Sequence, residues 1–150
     1  MRLLQQKLFR KSARGEAGFT LIEILVVITI IALIMSLVGP RVLNYLAESK
    51  AKAAKIQIQS FSSSLDLFNL DTGRYPNTAE GLTALVQSPG NIPAWNGPYL
   101  KGGAVPNDPW GNPYVYRSPG EHDVYDIMSY GSDGQEGGTG TAADIKSWER

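Results

Sequence analysis

A glutamate inside an apolar segment is the residue whose position most clearly calls for a chemical partner. Residues 19–39 read FTLIEILVVITIIALIMSLVG and carry one charged side chain, Glu23. An ionised carboxylate costs roughly 2.5–3.5 kcal/mol at the centre of a bilayer and less near its edge. If the chain is cut between Gly18 and Phe19, a largely cationic α-amino group appears four residues before Glu23, on the same helix face. The spacing therefore indicates an ion pair between Glu23 and an N-terminal amine, either its own or that of an adjacent subunit.

The C-terminal region is the second place where residue types indicate chemistry. The segment from Gly131 to Ala143 has few apolar side chains, and five of residues 131–140 are glycine. Such a segment buries little and should be ordered only if something holds it. A calcium ion would do so, because it takes about six to eight oxygen ligands and accepts backbone carbonyls as well as carboxylates. The alternative is that glycine turns alone shape this loop and that its acids are solvated.

The acids of the chain also allow a function of a different class, that of an anchored periplasmic hydrolase. Four acids of the C-terminal half could supply paired carboxylates: Asp123, Asp126, Asp133 and Glu136. The chain has one histidine, His122, and no cysteine, which excludes thiol catalysis and argues against a Ser-His-Asp triad. No nucleophile or phosphate-binding loop stands out, so an enzyme is not favoured. The formal net charge is zero, so no nucleic acid is expected as a partner.

The element that must carry Glu23 is a membrane helix. About 20 helical residues span the roughly 30 Å of bilayer hydrocarbon, and residues 19–39 supply that length. Residues 1–18 carry five basic groups and one acid, which places them in the cytoplasm and the rest of the chain outside. The alternatives are a secretory signal peptide and an uncleaved anchor. A signal peptide is disfavoured because the apolar run is too long, contains Glu23 and lacks a following Ala-x-Ala site.

A second helical segment follows the membrane span. Gly39-Pro40 predicts a kink or local melting. Beyond it, small and then bulky apolar residues recur at spacings of four and three, which is one stripe of a helix: Ala47, Ala51, Ala54, Ile58, Phe61, Leu65 and Phe68. We expect the alanines to allow close approach of helices in an assembly, and the later residues to face a globular domain. The helix should end near Leu70, before Gly73.

The remaining sequence predicts a small mixed domain. Asn77-Thr78-Ala79-Glu80 is typical of a capping box and predicts a short helix through about Gln87. A long loop covers residues 89–113, and residues 114–117 and 124–129 are typical of two antiparallel strands joined by a turn. The predicted fold class is therefore α+β, with one long N-terminal helix packed on a small antiparallel sheet.

Several of these segments together resemble a known family. Gly18-Phe19-Thr20-Leu21-Ile22-Glu23, at the start of an apolar helix, resembles the prepilin peptidase recognition motif of type IV pilins and pseudopilins. Residues 108–114 (DPWGNPY) and 131–138 (GSDGQEGG) resemble segments of the G proteins of type II secretion systems, the major pseudopilins. The resemblance covers nearly all of residues 15–150 and implies a type IV pilin-like fold.

The resemblance implies three segments with different roles along the chain. Residues 1–18 would be a leader that is removed, residues 19–39 a transmembrane helix, and residues 40–150 a periplasmic domain. Prepilin peptidase would cut after Gly18 and convert Phe19 to N-methylphenylalanine. The subunit, anchored in the inner membrane by one span, would polymerise into a pseudopilus that helps drive folded proteins across the outer membrane. Implied partners are further copies of the chain, minor pseudopilins, an inner-membrane assembly platform, a cytoplasmic ATPase and membrane lipid.

The resemblance also implies a structural calcium ion in the C-terminal loop. Asp133 and Asp144 would be the carboxylate ligands, one at each end of the loop. Main-chain oxygens near Tyr130 and Gln135 would complete the shell. The alternative within the superfamily is the major subunit of a type IV pilus, which shares the N-terminal motif. Such pilins usually carry a C-terminal disulfide, and a chain without cysteine favours the secretion pseudopilin instead.

Overall fold

One long helix and a small sheet make up the regular structure. The computed structural model describes residues 18–90 and 92–149, so the predictions for leader residues 1–17 lie outside it. The chain divides after Pro40 into two compact units. Helix α1 runs over Leu21–Thr72, and short 3₁₀-helices cover Leu82–Leu85 and Gly140–Ala142.

The first turns of α1 are capped by Thr20. Its backbone carbonyl accepts hydrogen bonds from the amides of Glu23 at 3.1 Å and Ile24 at 3.2 Å, and its Oγ1 also accepts from the Glu23 amide. The helix continues through Gly39-Pro40, so of the two predicted outcomes, a kink or local melting, the melting does not occur. Proline removes one backbone donor at a cost of about 3 kcal/mol, and melting would sacrifice the hydrogen bonds of the neighbouring turns as well.

The bulky half of the predicted stripe forms the core of the second unit. Ile58, Phe61, Leu65 and Phe68 are buried, and Phe61 packs edge-to-face on Tyr114 with ring centroids 5.0 Å apart. The other core side chains come from the segments that follow α1: Leu82, Ala84, Leu85, Leu100, Tyr116 and Ile127.

The three alanines of the predicted stripe differ in burial. Ala54 is completely buried within the domain, so the expectation that it faces a neighbouring helix is wrong. It lies on the same helical face as Ile58, and that face packs inward as a whole. Ala47 and Ala51 are partly buried and line a cavity of about 410 Å³ together with Trp110.

The chain turns sharply where α1 ends. Gly73 has a φ of 78°, and its amide donates to the Asn69 carbonyl at 2.8 Å, which confirms the predicted helix end. The capping box is also confirmed: the Glu80 amide donates to Asn77 Oδ1 at 2.9 Å, and the Asn77 amide donates to Glu80 Oε2 at 2.8 Å.

The helix predicted through Gln87 is wrong in length and type. A four-residue 3₁₀-helix, Leu82–Leu85, stands in its place. Gly81 has φ 60° and ψ −166°, which takes the backbone out of the helical path directly after the capping box.

The sheet has three antiparallel strands in the order β1-β2-β3: Val115–Arg117, Asp126–Ser129 and Ile145–Lys146. Tyr116 pairs with Ile127, and Ser129 pairs with Ile145. The two predicted strands are confirmed with shorter bounds, because Val124 and Tyr125 belong to the turn. Strand β3 was not predicted, since two residues give no periodicity. The fold class is α+β as expected, and residues 130–144, the C-terminal loop, connect β2 to β3.

Candidate functional sites

The residues predicted for processing and assembly lie at the start of the described chain. Phe19 is 77% exposed, and a Cβ added at Gly18 would meet nothing within 4 Å. Glu23 lies in the first turn of α1. Within residues 18–90 and 92–149 its carboxylate forms no ion pair. Its pairing with a new amine at Phe19 stays a prediction, because that amine exists only after cleavage.

The predicted metal ligands all lie on the C-terminal loop. Asp133 Oδ1 accepts a hydrogen bond from the Gln135 amide at 3.1 Å. Asp144 Oδ2 accepts one from the Gly137 amide at 2.9 Å, whereas its Oδ1 is buried without a hydrogen-bond partner. The two carboxylates therefore bond different parts of the loop and share no partner.

The two ends of this loop are in close backbone contact. Gly131 has a φ of 63°, and a Cβ there would lie 2.7 Å from the Ala143 carbonyl oxygen and 3.0 Å from that of Ala142. A Cβ at Gly138 would also clash with the Ala142 oxygen. Glycine is required at both positions, because the carbonyl oxygens of Ala142 and Ala143, the two residues before Asp144, face them closely.

The chemistry of these donors fits a hard cation that accepts backbone oxygens. In the described part of the chain, no three histidine or acidic side chains are grouped so as to hold a metal. A cation here would take at most two carboxylates and would depend on carbonyls, a donor set that suits calcium. The unpartnered buried oxygen of Asp144 is consistent with such a ligand role, because buried polar atoms normally have partners.

A buried aspartate that the sequence analysis did not single out braces the start of the loop. Asp108 is 5% exposed, and its Oδ1 accepts hydrogen bonds from the amides of Trp110 at 3.0 Å and Asn112 at 2.8 Å. Its Oδ2 accepts from Ser129 Oγ at 2.6 Å. The available signal was the Asp-Pro-x-Gly-Asn turn sequence, but the contact with Ser129 is long-range.

A second buried acid, Asp126, closes the turn between β1 and β2. Its Oδ2 accepts from the amides of Glu121 and His122 and lies 3.1 Å from His122 Nδ1. The His122 ring stacks on Trp148 with centroids 4.0 Å apart. Burial acts to raise the pKa of Asp126, but the hydrogen bonds from His122 and the two amides outweigh it, so this pKa lies below its ordinary value.

The four acids considered for hydrolysis differ in their surroundings. Asp126 is committed to its turn, and Asp123 Oδ1 accepts from the adjacent Val124 amide at 2.7 Å. Asp133 bonds within the C-terminal loop. Three of the four acids thus have a local backbone partner, whereas Glu136 lines a cavity together with Asp126.

The N-terminal segment places the chain in a class of prokaryotic proteins that share an N-terminal methylation motif. Residues 13–39 match the family described as the prokaryotic N-terminal methylation motif. Residues 41–148 match the family described as Type II secretion system (T2SS), protein G. The chain therefore belongs to the type II secretion system protein G family.

Individual relatives agree with this assignment. The chain is 44% identical to Type II secretion system core protein G of Pseudomonas aeruginosa over 140 residues, 91% of this chain and 97% of that protein. It is 42% identical to the core protein G of Vibrio cholerae, covering 92% and 95% respectively. The crystal structure of the major pseudopilin from the type 2 secretion system of enterohaemorrhagic Escherichia coli matches with a TM-score of 0.56 and 34% identity, over 67% of this chain and 88% of that one. The type IV pilus alternative is not favoured.

Proposed function

We propose that this chain is the polymerising subunit of a secretion pseudopilus. After removal of the leader, the subunit is held in the inner membrane by a single span, with its C-terminal domain in the periplasm. It assembles with further copies of itself into a filament that helps drive folded proteins across the outer membrane. Its role is structural, and it has no enzymatic activity.

The observation that carries this proposal is the exposure of the first half of α1. The helix includes a stretch long and apolar enough to cross a membrane, and none of that stretch is buried among the residues that the structure describes. Exposed apolar surface of this extent is stabilised only by lipid or by other subunits. Membrane anchoring followed by helix packing in a filament supplies both environments in turn.

Processing creates a new, methylated N-terminus directly before the first half of α1. Prepilin peptidase cuts between Gly18 and Phe19 and methylates the new α-amino group of Phe19. Phe19 and Thr20 precede the first helical residue, Leu21, so the peptide bond to be cut lies outside the helix. A bond outside the hydrogen-bonded helix can extend into a protease cleft.

Assembly depends on the carboxylate of Glu23. The amine of an incoming subunit pairs with it, which offsets the cost of both charges in an apolar environment. The inner-membrane platform, a cytoplasmic ATPase and the minor pseudopilins are the partners of this step. The ion pair thereby selects processed subunits, because an uncleaved chain has no amine at Phe19.

Calcium is the structural cofactor of this proposal. Asp133 and Asp144 provide the carboxylates, and main-chain oxygens near Tyr130 and Gln135 complete the shell. The buried, unpartnered Oδ1 of Asp144 and the close approach of Gly131 to Ala143 support this assignment. Bound calcium neutralises the acids and orders a segment with little apolar surface to bury.

A deletion strain tests the proposed function. Secreted proteins should accumulate in the periplasm of the deletion strain, and the full chain should restore their export. Surface type IV pili, counted by electron microscopy, should be unchanged in both strains. Loss of surface pili together with normal secretion would overturn the proposal in favour of a pilus subunit.

A further inference from the structure

The turn Asp108–Asn112 begins with a buried carboxylate that processing, membrane anchoring and assembly leave unexplained. Asp108 Oδ1 accepts two backbone hydrogen bonds from within this turn, from Trp110 and Asn112. Asn107 Nδ2 adds a bond to the Gly111 carbonyl at 3.0 Å. These bonds fix the backbone at Asn112, and therefore the direction in which its side chain leaves the turn.

The same aspartate also reaches the point where the C-terminal loop leaves the sheet. Its Oδ2 accepts from Ser129 Oγ at 2.6 Å, and Ser129, the last residue of β2, is completely buried. Ser129 Oγ in turn accepts from the Gly131 amide at 3.3 Å. One carboxylate thus holds both Asn112 and the first residues of the loop.

The Asn112 side chain contacts the loop at two glycines. Its Nδ2 donates to the Gly131 carbonyl at 3.3 Å. At Gly134, an added Cβ would lie 3.4 Å from both the Nδ2 and the Oδ1 of Asn112, so the backbone of this glycine packs directly against the amide. These two glycines adjoin three of the four residues that we propose as calcium ligands: Tyr130, Asp133 and Gln135.

We propose that Asn112, oriented by Asp108, is a positioning residue for calcium binding by residues 130–135. Its amide holds the Gly131 carbonyl on one side while Gly131 packs against the Ala143 backbone on the other. The loop entrance is therefore kept near Asp144 before the ion arrives. Less conformational entropy is then lost on binding than a free glycine-rich loop would lose. This inference rests on the proposed calcium site.

The test compares two asparagines of the same turn. Asn112→Ala removes the amide that reaches the loop, whereas Asn107→Ala removes an amide that bonds only Gly111 within the turn. Calcium chloride is titrated calorimetrically into each full-length chain in detergent micelles after treatment with chelator. Asn112→Ala should raise the calcium dissociation constant about tenfold, and Asn107→Ala by less than about twofold. The melting temperatures of both variants in chelator should stay close to that of the parent, because each variant loses a single side-chain hydrogen bond.

Ser129→Ala provides a second route, because it breaks the link between Asp108 and the loop while leaving Asn112 intact. It should also weaken calcium binding severalfold, and restoring a hydroxyl with Ser129→Thr should recover part of the affinity. Equal affinities of Asn112→Ala and Asn107→Ala would overturn the positioning role, whether both bind tightly or both bind weakly. A parent chain that binds no calcium would overturn the metal site and this inference together, whereas a calcium-binding parent with unaffected variants would overturn the inference alone.

Discussion

The two halves of α1 contain similar residues in opposite environments. Leu21, Leu33 and Leu37 are 86%, 73% and 71% exposed, whereas Leu65 in the second half is completely buried. The second half has its own globular domain to pack on, whereas the apolar stretch of the first half is not buried by any of residues 18–90 and 92–149. The same hydrophobic effect therefore stabilises the fold in one region and drives association with an external environment in the other.

This comparison separates folding from assembly. Substitutions in the buried stripe should unfold the domain, because its stability comes from internal packing. Substitutions at exposed positions of the first half should leave the domain folded and change what the chain associates with. The following predictions test that separation, beginning with the largest expected effect.

The core substitution Phe61→Ala should have the largest effect on folding. Phe61 is fully buried against Tyr114, and its truncation leaves a cavity that should lower the free energy of unfolding by about 3–5 kcal/mol. The matched control is Ile56→Ala on the exposed face of the same helix, where a change below about 0.5 kcal/mol is expected. Denaturant unfolding of the full chain in micelles measures both. Equal losses would contradict the assignment of the buried face.

The assembly substitution Glu23→Leu should act without unfolding the domain. The variant should insert in the membrane and be cleaved, but the amine of each incoming subunit would lack its partner, at a cost of about 3–5 kcal/mol. Assembled multimers, recovered by sedimentation after crosslinking in cells, should fall at least about tenfold. Thr29→Leu, a polar-to-leucine change in the same helix, is the control and should assemble normally. Normal multimer yield from Glu23→Leu would eliminate the pairing mechanism.

The loop substitution Asp144→Ala should abolish stabilisation by calcium. With calcium at about a hundredfold excess over its dissociation constant, binding should raise the free energy of unfolding of the parent by about 2.7 kcal/mol relative to its value in chelator. Asp144→Ala and Asp133→Ala should lose this difference. Glu136→Ala, an exposed acid in the same loop that we do not assign as a ligand, should keep it. If the parent has the same melting temperature with calcium and with chelator, calcium is not a structural cofactor of this chain.

The turn substitution Asp126→Asn should produce the smallest effect, and one that depends on pH. The pKa of Asp126 is lowered in the folded chain, so its contribution is present above the unfolded value, near 3.9, and is lost as the pH falls through the folded value. The free energy of unfolding of the variant should be about 1–2 kcal/mol lower than that of the parent at neutral pH. This difference should shrink below about pH 4. Asp123→Asn, on the exposed side of the same turn, is the control. If the variant and the parent differ in free energy of unfolding by the same amount at pH 7 and pH 3, the pKa of Asp126 is not lowered in the folded chain.

Local sequence patterns predicted the features that depend on neighbouring residues. The spacing of Ile58, Phe61 and Leu65 identified the buried face, and the pair Asn77 and Glu80 identified the capping box. The exposure of the apolar segment around Glu23 also follows from its composition, since the described part of the chain contains no second helix of that kind to cover it.

The features that were not predicted depend on residues distant in sequence or on backbone conformation. Strand β3 exists because Ile145 pairs with Ser129 across the C-terminal loop, and two residues carry no pattern of their own. The short 3₁₀-helix depends on the positive φ of Gly81, which the capping sequence does not encode. The bond between Asp108 and Ser129 joins residues 21 positions apart, so the turn sequence indicated local structure but not its contact with the loop.

The N-terminus of the protein recovered from membranes tests the central claim most directly. Mass spectrometry of the full-length chain expressed in its secreting host should show a protein that begins at Phe19 and carries one methyl group on its α-nitrogen. Gly18→Leu should keep the entire leader, because a bulky side chain is excluded where glycine can lie extended in a protease cleft. A parent chain that retains residues 1–18, or that begins after the apolar segment, would contradict the account.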